Sequence, residues 1–372
     1  MNIQKAHSVI LALDKEFQDL KIIPLLQNLQ TTLNASLAQR TPQAGQAFED
    51  SKQQLLDAIS KCPSNHFVPS KHYILKTIGG DLVTGKNLHE RIENILGANA
   101  LAPGKVVEEL QKILTEVTSF QSLMKTLLTS FKKLNIPTDE LAPGNCEIGV
   151  LIPIQPELQN LENELRDLNQ HMKSISEVVL GKHETVKIRA LSSGSPIEVF
   201  LESTPVVALA VVTAIERIVA LYKTILEIRI AKKKLEELSV PKDTVSSIEQ
   251  HEKSMITAEL NKIGDDIFKG YKGKDTSRKN ELRTALSKAL KYLAEKIDKG
   301  VDFEVSAPAD SEVDVAGKEP ETPGGTASHE LKETLSLINA KGASLRMIEN
   351  RSEGVLSISH EGKKSEDEKS KG

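Results

Sequence analysis

The sequence has no tryptophan, and only 3 % of its 372 residues are aromatic. A core built without large rings must be filled by Leu, Ile, Val and Ala, which suits packed helices better than a β-sandwich. There are only two cysteines, Cys62 and Cys146, far apart and in no CxxC or Cys/His pattern. That excludes a disulfide framework, offers no zinc ligand set and fits a reducing compartment. The nine histidines are scattered without HxxxH or HExxH spacing, so neither a metal nor any other cofactor is expected. A strong net charge is also missing. The formal value is −4, which gives no global reason to expect nucleic acid as a partner. The first apolar stretch is short, is broken by Asp14, Lys15 and Glu16, and has no small-residue cleavage site behind it. A signal peptide is therefore not expected, and the expected location is cytoplasmic.

What is present is an ordinary globular mixture, 39 % apolar and 27 % charged, rich enough in apolar side chains to bury a core. The length suits two or three domains at roughly 150 residues each. The clearest pattern lies between Pro103 and Leu134, where Val106, Leu110, Ile113, Val117, Phe120, Met124, Leu127, Phe131 and Leu134 recur in steps of four and three. This is a heptad seam, opened by Ala-Pro-Gly at 102–104 and closed before Pro137. A second seam, through Leu158, Leu161, Leu165, Leu168, Met172, Ile175 and Val179, starts after Pro156 and stops at Gly181. Two such helices can pack on each other. Val106, Leu110, Ile113 and Val117 in the first, with Leu161, Leu165, Leu168 and Met172 in the second, are thus the candidate interaction or core residues. The same spacing serves pairing within a chain or between chains.

The connection between the seams contains Glu147-Ile148-Gly149-Val150-Leu151-Ile152 before Pro153, an apolar run that reads as a strand. Further strands are expected at 185–191 and 197–201, around Ser192-Ser193-Gly194-Ser195-Pro196. Residues 1–100 read as a region of shorter helices, including Ile3–Leu20, a continuation past Pro24 to Leu37, Phe48–Ile59 and Leu88–Leu96. Residues 101–300 read as a helical bundle with the small sheet inserted. Its later helices are expected at Val206–Leu238, at Val245–Phe268 and through Leu282, Leu286, Leu290, Leu293 and Ile297. The folded body is expected to end near 300. Beyond it, residues 301–328 read as a disordered acidic linker, and 329–361 as a small module with a helix and a hairpin of 345–348 with 355–358. Residues 362–372 read as a solvated tail.

Three segments invite a chemical reading. Gly80-Asp81-Leu82-Val83-Thr84-Gly85-Lys86-Asn87 matches the phosphate loop GxxxxGK[ST] at all but its last place, and Lys71–Ile78 before it can be read as a strand. Gly80, Gly85 and Lys86 are therefore weak candidates for nucleotide contact. Asn87, however, cannot supply the hydroxyl that holds Mg²⁺, and a glycine turn between helices explains the pattern. Ser193-Gly194-Ser195 is not the GxSxG elbow, so no serine nucleophile, and no catalytic residue of any kind, is assigned. Pro205–Ile215 is apolar on all sides, but eleven helical residues reach only about 16 Å, half a bilayer core. A buried central helix is the better reading, and a helix that enters a membrane the lesser one. Lys232, Lys233, Lys234, Lys269, Lys272, Lys274, Arg278, Lys279 and Arg283 are basic but have few aromatic neighbours, and they read as a solvated face.

Ile188, the Ser-Gly-Ser-Pro turn, Ile197-Glu198-Val199-Phe200-Leu201, Ala214-Ile215-Glu216-Arg217-Ile218 and Leu221-Tyr222-Lys223 together form a pattern that resembles uncharacterised bacterial helical proteins. The resemblance implies a bacterial source and a strand-turn-strand unit feeding a long helix, and it brings no activity or site residues with it. The reading as a whole is a mainly α protein with coiled-coil-like helix pairs. Its expected function is a non-enzymatic one, association with a protein partner or with itself. Membrane action through residues 205–230 is the alternative, and nucleotide binding at 80–87 a remote one.

Overall fold

A computed structural model of the chain describes residues 2–98, 103–142, 144–153, 157–182, 184–194, 196–237, 242–271, 276–308, 325–345 and 355–356. It is mainly α-helical, with eleven α-helices and one four-stranded sheet among the described residues. The chain divides into two compact units, Met1–Ala142 with Leu191–Gly194, and Pro143–Ala190 with Ser195–Gly372.

The first unit holds α1 (Ile3–Asp19), α2 (Ile22–Gln39), α3 (Pro42–Ser60), a 3₁₀ turn (Pro63–His66), α4 (Pro69–Thr77), α5 (Gly85–Ala98) and α6 (Pro103–Lys133). Local sequence sets several of these starts. Asn2 accepts from the amides of Gln4 and Lys5 to cap α1, Thr41 caps α3 through the amide of Ala44, and prolines open α3 and α4 where no amide is required. α6 packs against α1, α2 and α5. Its heptad positions Val106, Leu110, Ile113, Val117 and Met124 are buried among Leu13, Leu29, Leu55, Ile74 and Ile92. The segment Lys71–Ile78, readable as a strand from Tyr73, Ile74 and Ile78, is instead mostly the helix α4, which begins at Pro69 and buries Ile74 and Leu75 on one face.

The second unit holds β1 (Cys146–Ile152), α7 (Leu158–Leu180), β2 (Lys187–Ser192), β3 (Ile197–Ser203), α8 (Pro205–Glu237), α9 (Lys242–Phe268), α10 (Thr276–Asp298), β4 (Asp302–Ser306) and α11 (Gly325–Ser344). The strands lie in the order β2-β3-β1-β4, with β1 antiparallel to both neighbours. One face of β1 and β3, made by Cys146, Ile148, Val150, Ile152, Val199 and Leu201, joins the helical core. On the other face Gly149 lies opposite Phe200 and Glu304. A Cβ there would come within 2.5 Å of Glu304 Cγ and 2.9 Å of the Phe200 ring. Central to the unit is α8, which packs on α7, α9, α10, α11, β1 and β4 and buries Val207, Val211, Val212, Ile215, Ile218, Tyr222 and Ile225.

Two expectations are corrected here. The seams of α6 and α7 do not share a core: the first is spent in the core of the first unit and the second in that of the second. A helix with apolar residues at heptad spacing packs against any apolar surface, and each unit supplies its own. The folded body also runs past 300. Val301 just before β4, and Phe303 and Val305 on it, alternate inward, and Leu335, Ile338, Leu345, Val355 and Leu356 are buried in the same core. Asp298 accepts from the amides of Val355 and Leu356. Most of the expected linker, the hairpin residues 346–348, 357 and 358, and the tail lie outside the described residues.

Candidate interaction surface

The residues selected as candidate sites are mostly core. Val106, Leu110, Ile113, Val117, Leu168 and Met172 are buried, Leu165 packs partly buried against the core, and Leu161 is intermediate. Truncating the buried ones leaves cavities and tests folding before it tests association.

Gly80, Gly85 and Lys86 lie at the turn that leads into α5. A Cβ at Gly80 would meet Leu75 and the Phe120 ring at 2.5 Å, and Gly85 has a φ of +50°. Both positions favour glycine for reasons of packing and backbone. The amide of Lys86 donates to Asn65 Oδ1 at 2.7 Å, so that donor at the start of α5 already has a protein acceptor. Asn65 is itself anchored, donating to the carbonyls of Ile59 and Ser60. Lys86 Nζ is exposed and pairs with Glu90 at 3.4 Å.

Both thiols are buried. Burial pushes Cys146 up to about 12. Burial, then the charge of Glu16, pushes Cys62 higher still. Glu16 is raised above its ordinary value by burial, against the opposing effect of hydrogen bonds from Ser64, whose amide (2.8 Å) and hydroxyl (2.9 Å) both donate to it. Among the described residues no group of three or more His, Cys, Asp or Glu side chains is placed to hold a metal.

An open apolar surface is found where α8 and α9 outrun the rest of their unit. Among the described side chains, the last buried one of α8 is Ile225, and none of α9 before Glu252 is buried. The twelve residues of α8 beyond Ile225 extend about 18 Å. Arg229 pairs with Glu252 at 3.3 Å and Lys232 with Glu249 at 2.5 Å, which ties the two helices together. Beside these ion pairs runs a groove lined by Ile228, Ala231 and Leu235 on α8 and Ser247, Ile248 and His251 on α9. Ile230 stands 49 % exposed on the same stretch of α8. Positions 228, 231 and 235 follow the i, i+3, i+7 spacing by which a helix presents a stripe to a neighbour. The sequence contained this signal, because the apolar stripe of α8 continues through the lysines, but the basic run Lys232–Lys234 drew the reading toward a solvated face.

Compared with known proteins, the chain matches no family model, no curated protein and no solved structure.

Proposed function

We propose that the protein is a non-enzymatic interaction protein that associates through the open groove at the end of the α8–α9 pair, and that this groove receives a second copy of the chain. The observation that carries the reading is the stripe Ile228, Ala231, Leu235 and Ile248, of which the two helices leave Ala231 exposed and the other three only partly covered. Two antiparallel helices with an exposed seam bury it by adding further helices, and a two-fold pairing of hairpins makes a four-helix arrangement. The charges favour a like partner. Exposed Lys233 and Lys234 lie on α8 and the half-exposed Glu249 on α9, so two-fold pairing of α8 with the partner's α9 brings unlike charges together.

Sedimentation equilibrium of the full chain over a wide concentration range tests this. A reversible dimer is expected, with Ala231→Asp and Leu235→Asp each weakening it at least about tenfold while the circular-dichroism melt stays unchanged. A wild-type chain that is monomeric at every concentration would falsify the proposal.

A second reading draws on α8 itself: Pro205–Leu235 is long enough to cross a membrane, and its most apolar 18 residues have a mean hydropathy of 1.8 and are half buried. It requires residues 205–230 to gain protection from protease on liposomes, and equal cleavage with and without lipid removes it.

A further inference from the structure

Away from the helical hairpin, the second unit encloses a cavity of about 160 Å³ where the ends of β1 and β3 meet α7, the start of α8 and the segment 184–187. It draws on several separate stretches of chain, and its lining offers apolar side chains, hydroxyls, carboxylates and one cation, the exposed Lys187, which adds positive charge for a carboxylate. Ile148, Met172, Leu201 and Val207 make an apolar floor. Ser176 and Thr204 contribute hydroxyls, and exposed Glu184 and Glu202 supply carboxylates, the latter accepting from Asn145 Nδ2 at 2.9 Å.

The buried Thr204 hydroxyl, with that of Ser176 beside it, marks this as a place for a ligand rather than a packing gap. Thr204 Oγ1 is buried and, among the described residues, has no hydrogen-bond partner. Ser176 is 7 % exposed, lines the same cavity and likewise makes no side-chain hydrogen bond to a described residue. A hydroxyl removed from water without a partner is costly, and Thr204 Oγ1 is such a hydroxyl, whereas the Ser176 hydroxyl opens onto the cavity. Thr204 also stands directly before Pro205, the first residue of a 33-residue helix. The amides of Val206 and Val207 in that first turn have no carbonyl to bond within the helix, and the helix dipole favours negative charge there. Ordinarily an N-cap threonine would accept from one of them; here its oxygen does not.

We infer that this cavity binds a small aliphatic α-amino acid as its zwitterion. The carboxylate fits the start of α8 and the Ser176 and Thr204 hydroxyls, the ammonium fits Glu184 and Glu202, and the side chain fits the apolar floor. A protein cavity of about 150 Å³ takes up benzene, so the apolar floor has room for a valine or leucine side chain, while the charged end of the ligand lies at the open mouth beside exposed Glu184 and Glu202. The inference does not rest on the association of α8 and α9.

Isothermal titration calorimetry of the full chain with L-leucine and L-valine tests it, with isovalerate, which lacks the ammonium, as the comparison ligand. Saturable binding of at least one amino acid is expected, with isovalerate weaker by about tenfold or more. Thr204→Val and Ser176→Ala should each weaken binding about tenfold. Thr204→Val should leave the thermal melt unchanged or raised, because it removes an unpaired buried hydroxyl. Absence of saturable amino-acid binding overturns the site, as does binding that survives Thr204→Val undiminished in a variant with an intact melt. Isovalerate, which is L-valine without its ammonium, binding as tightly as L-valine overturns the zwitterion assignment.

Discussion

His171 on α7 stacks against Tyr292 on α10, ring centroids 4.4 Å apart and 28° from parallel. Burial there lowers its pKa below 6.5, with Lys296 adding to the shift and Asp167 opposing it. The unfolded chain therefore takes up a proton near pH 6.5 that the folded chain refuses until a lower pH. Stability from this group is fully present above 6.5 and is lost as pH falls from 6.5 toward the lower folded value. His171→Phe keeps a ring on Tyr292 and removes the titration. Its melting temperature should change less between pH 7 and 5 than the wild type's, as followed by circular dichroism. Glu16 in the first unit has the opposite sign. Its raised pKa costs stability as pH climbs through 4.5 to the folded value. Gly149 gives a steric counterpart: Gly149→Val drives a side chain into Phe200 and Glu304 and should cost about 1–3 kcal/mol, or more, in denaturant titration.

At the scale of elements, helices with strong periodicity were legible and short or composite ones were not. The heptad spacing of Val106 through Phe131 marks α6 correctly, because every third or fourth position is apolar and prolines lie near both ends. The same spacing could not say what the seam meets. The segment of α4 allows two readings, a strand, because Tyr73, Ile74 and Ile78 favour strands locally, or a helix before a glycine turn, and the proline at its first turn and the burial of Ile74 and Leu75 decide for the helix. β4 was missed because five residues with Asp302 and Glu304 among them look like the start of the acidic stretch; only pairing with β1 makes them a strand. The candidate surfaces were even less legible, since the α8–α9 groove and the cavity are made by residues that converge from separate stretches. α8 also shows what a membrane role would cost. Its own apolar side chains lose little in lipid, but Met172, Ile175, Ile263, Leu290 and Leu293 on the helices around it would be uncovered. At about 1.5–3 kcal/mol each, that is on the order of 10 kcal/mol, comparable with the whole stability of a domain.

For the whole molecule, the decisive fact is that the two cores have no residue in common. Val117 belongs to one and Met172 to the other. A fragment of residues 1–142 should therefore melt cooperatively as a helical unit, and Val117→Asp in it should abolish that transition, because a carboxylate buried without a partner costs several kcal/mol. Met172→Asp in the full chain should unfold the second unit and leave helical signal from the first. Circular dichroism with limited proteolysis checks both, and a single transition lost entirely in either variant would count against separate cores.

The central strand of the sheet sets an order of events during synthesis. β1 leaves the ribosome first in its unit, yet one of its two edges is closed by residues 302–306, about 150 positions later. At about 5–20 residues per second, that edge waits about 8–30 s. Throughout that interval a seven-residue strand with Ile148, Val150, Leu151 and Ile152 on it has an unpaired backbone, the condition in which chains recruit chaperones or join one another. Since Leu335, Ile338, Leu345, Val355 and Leu356 are also needed to seal the core, a message truncated before residue 356 yields a second unit that has been translated almost completely and cannot close.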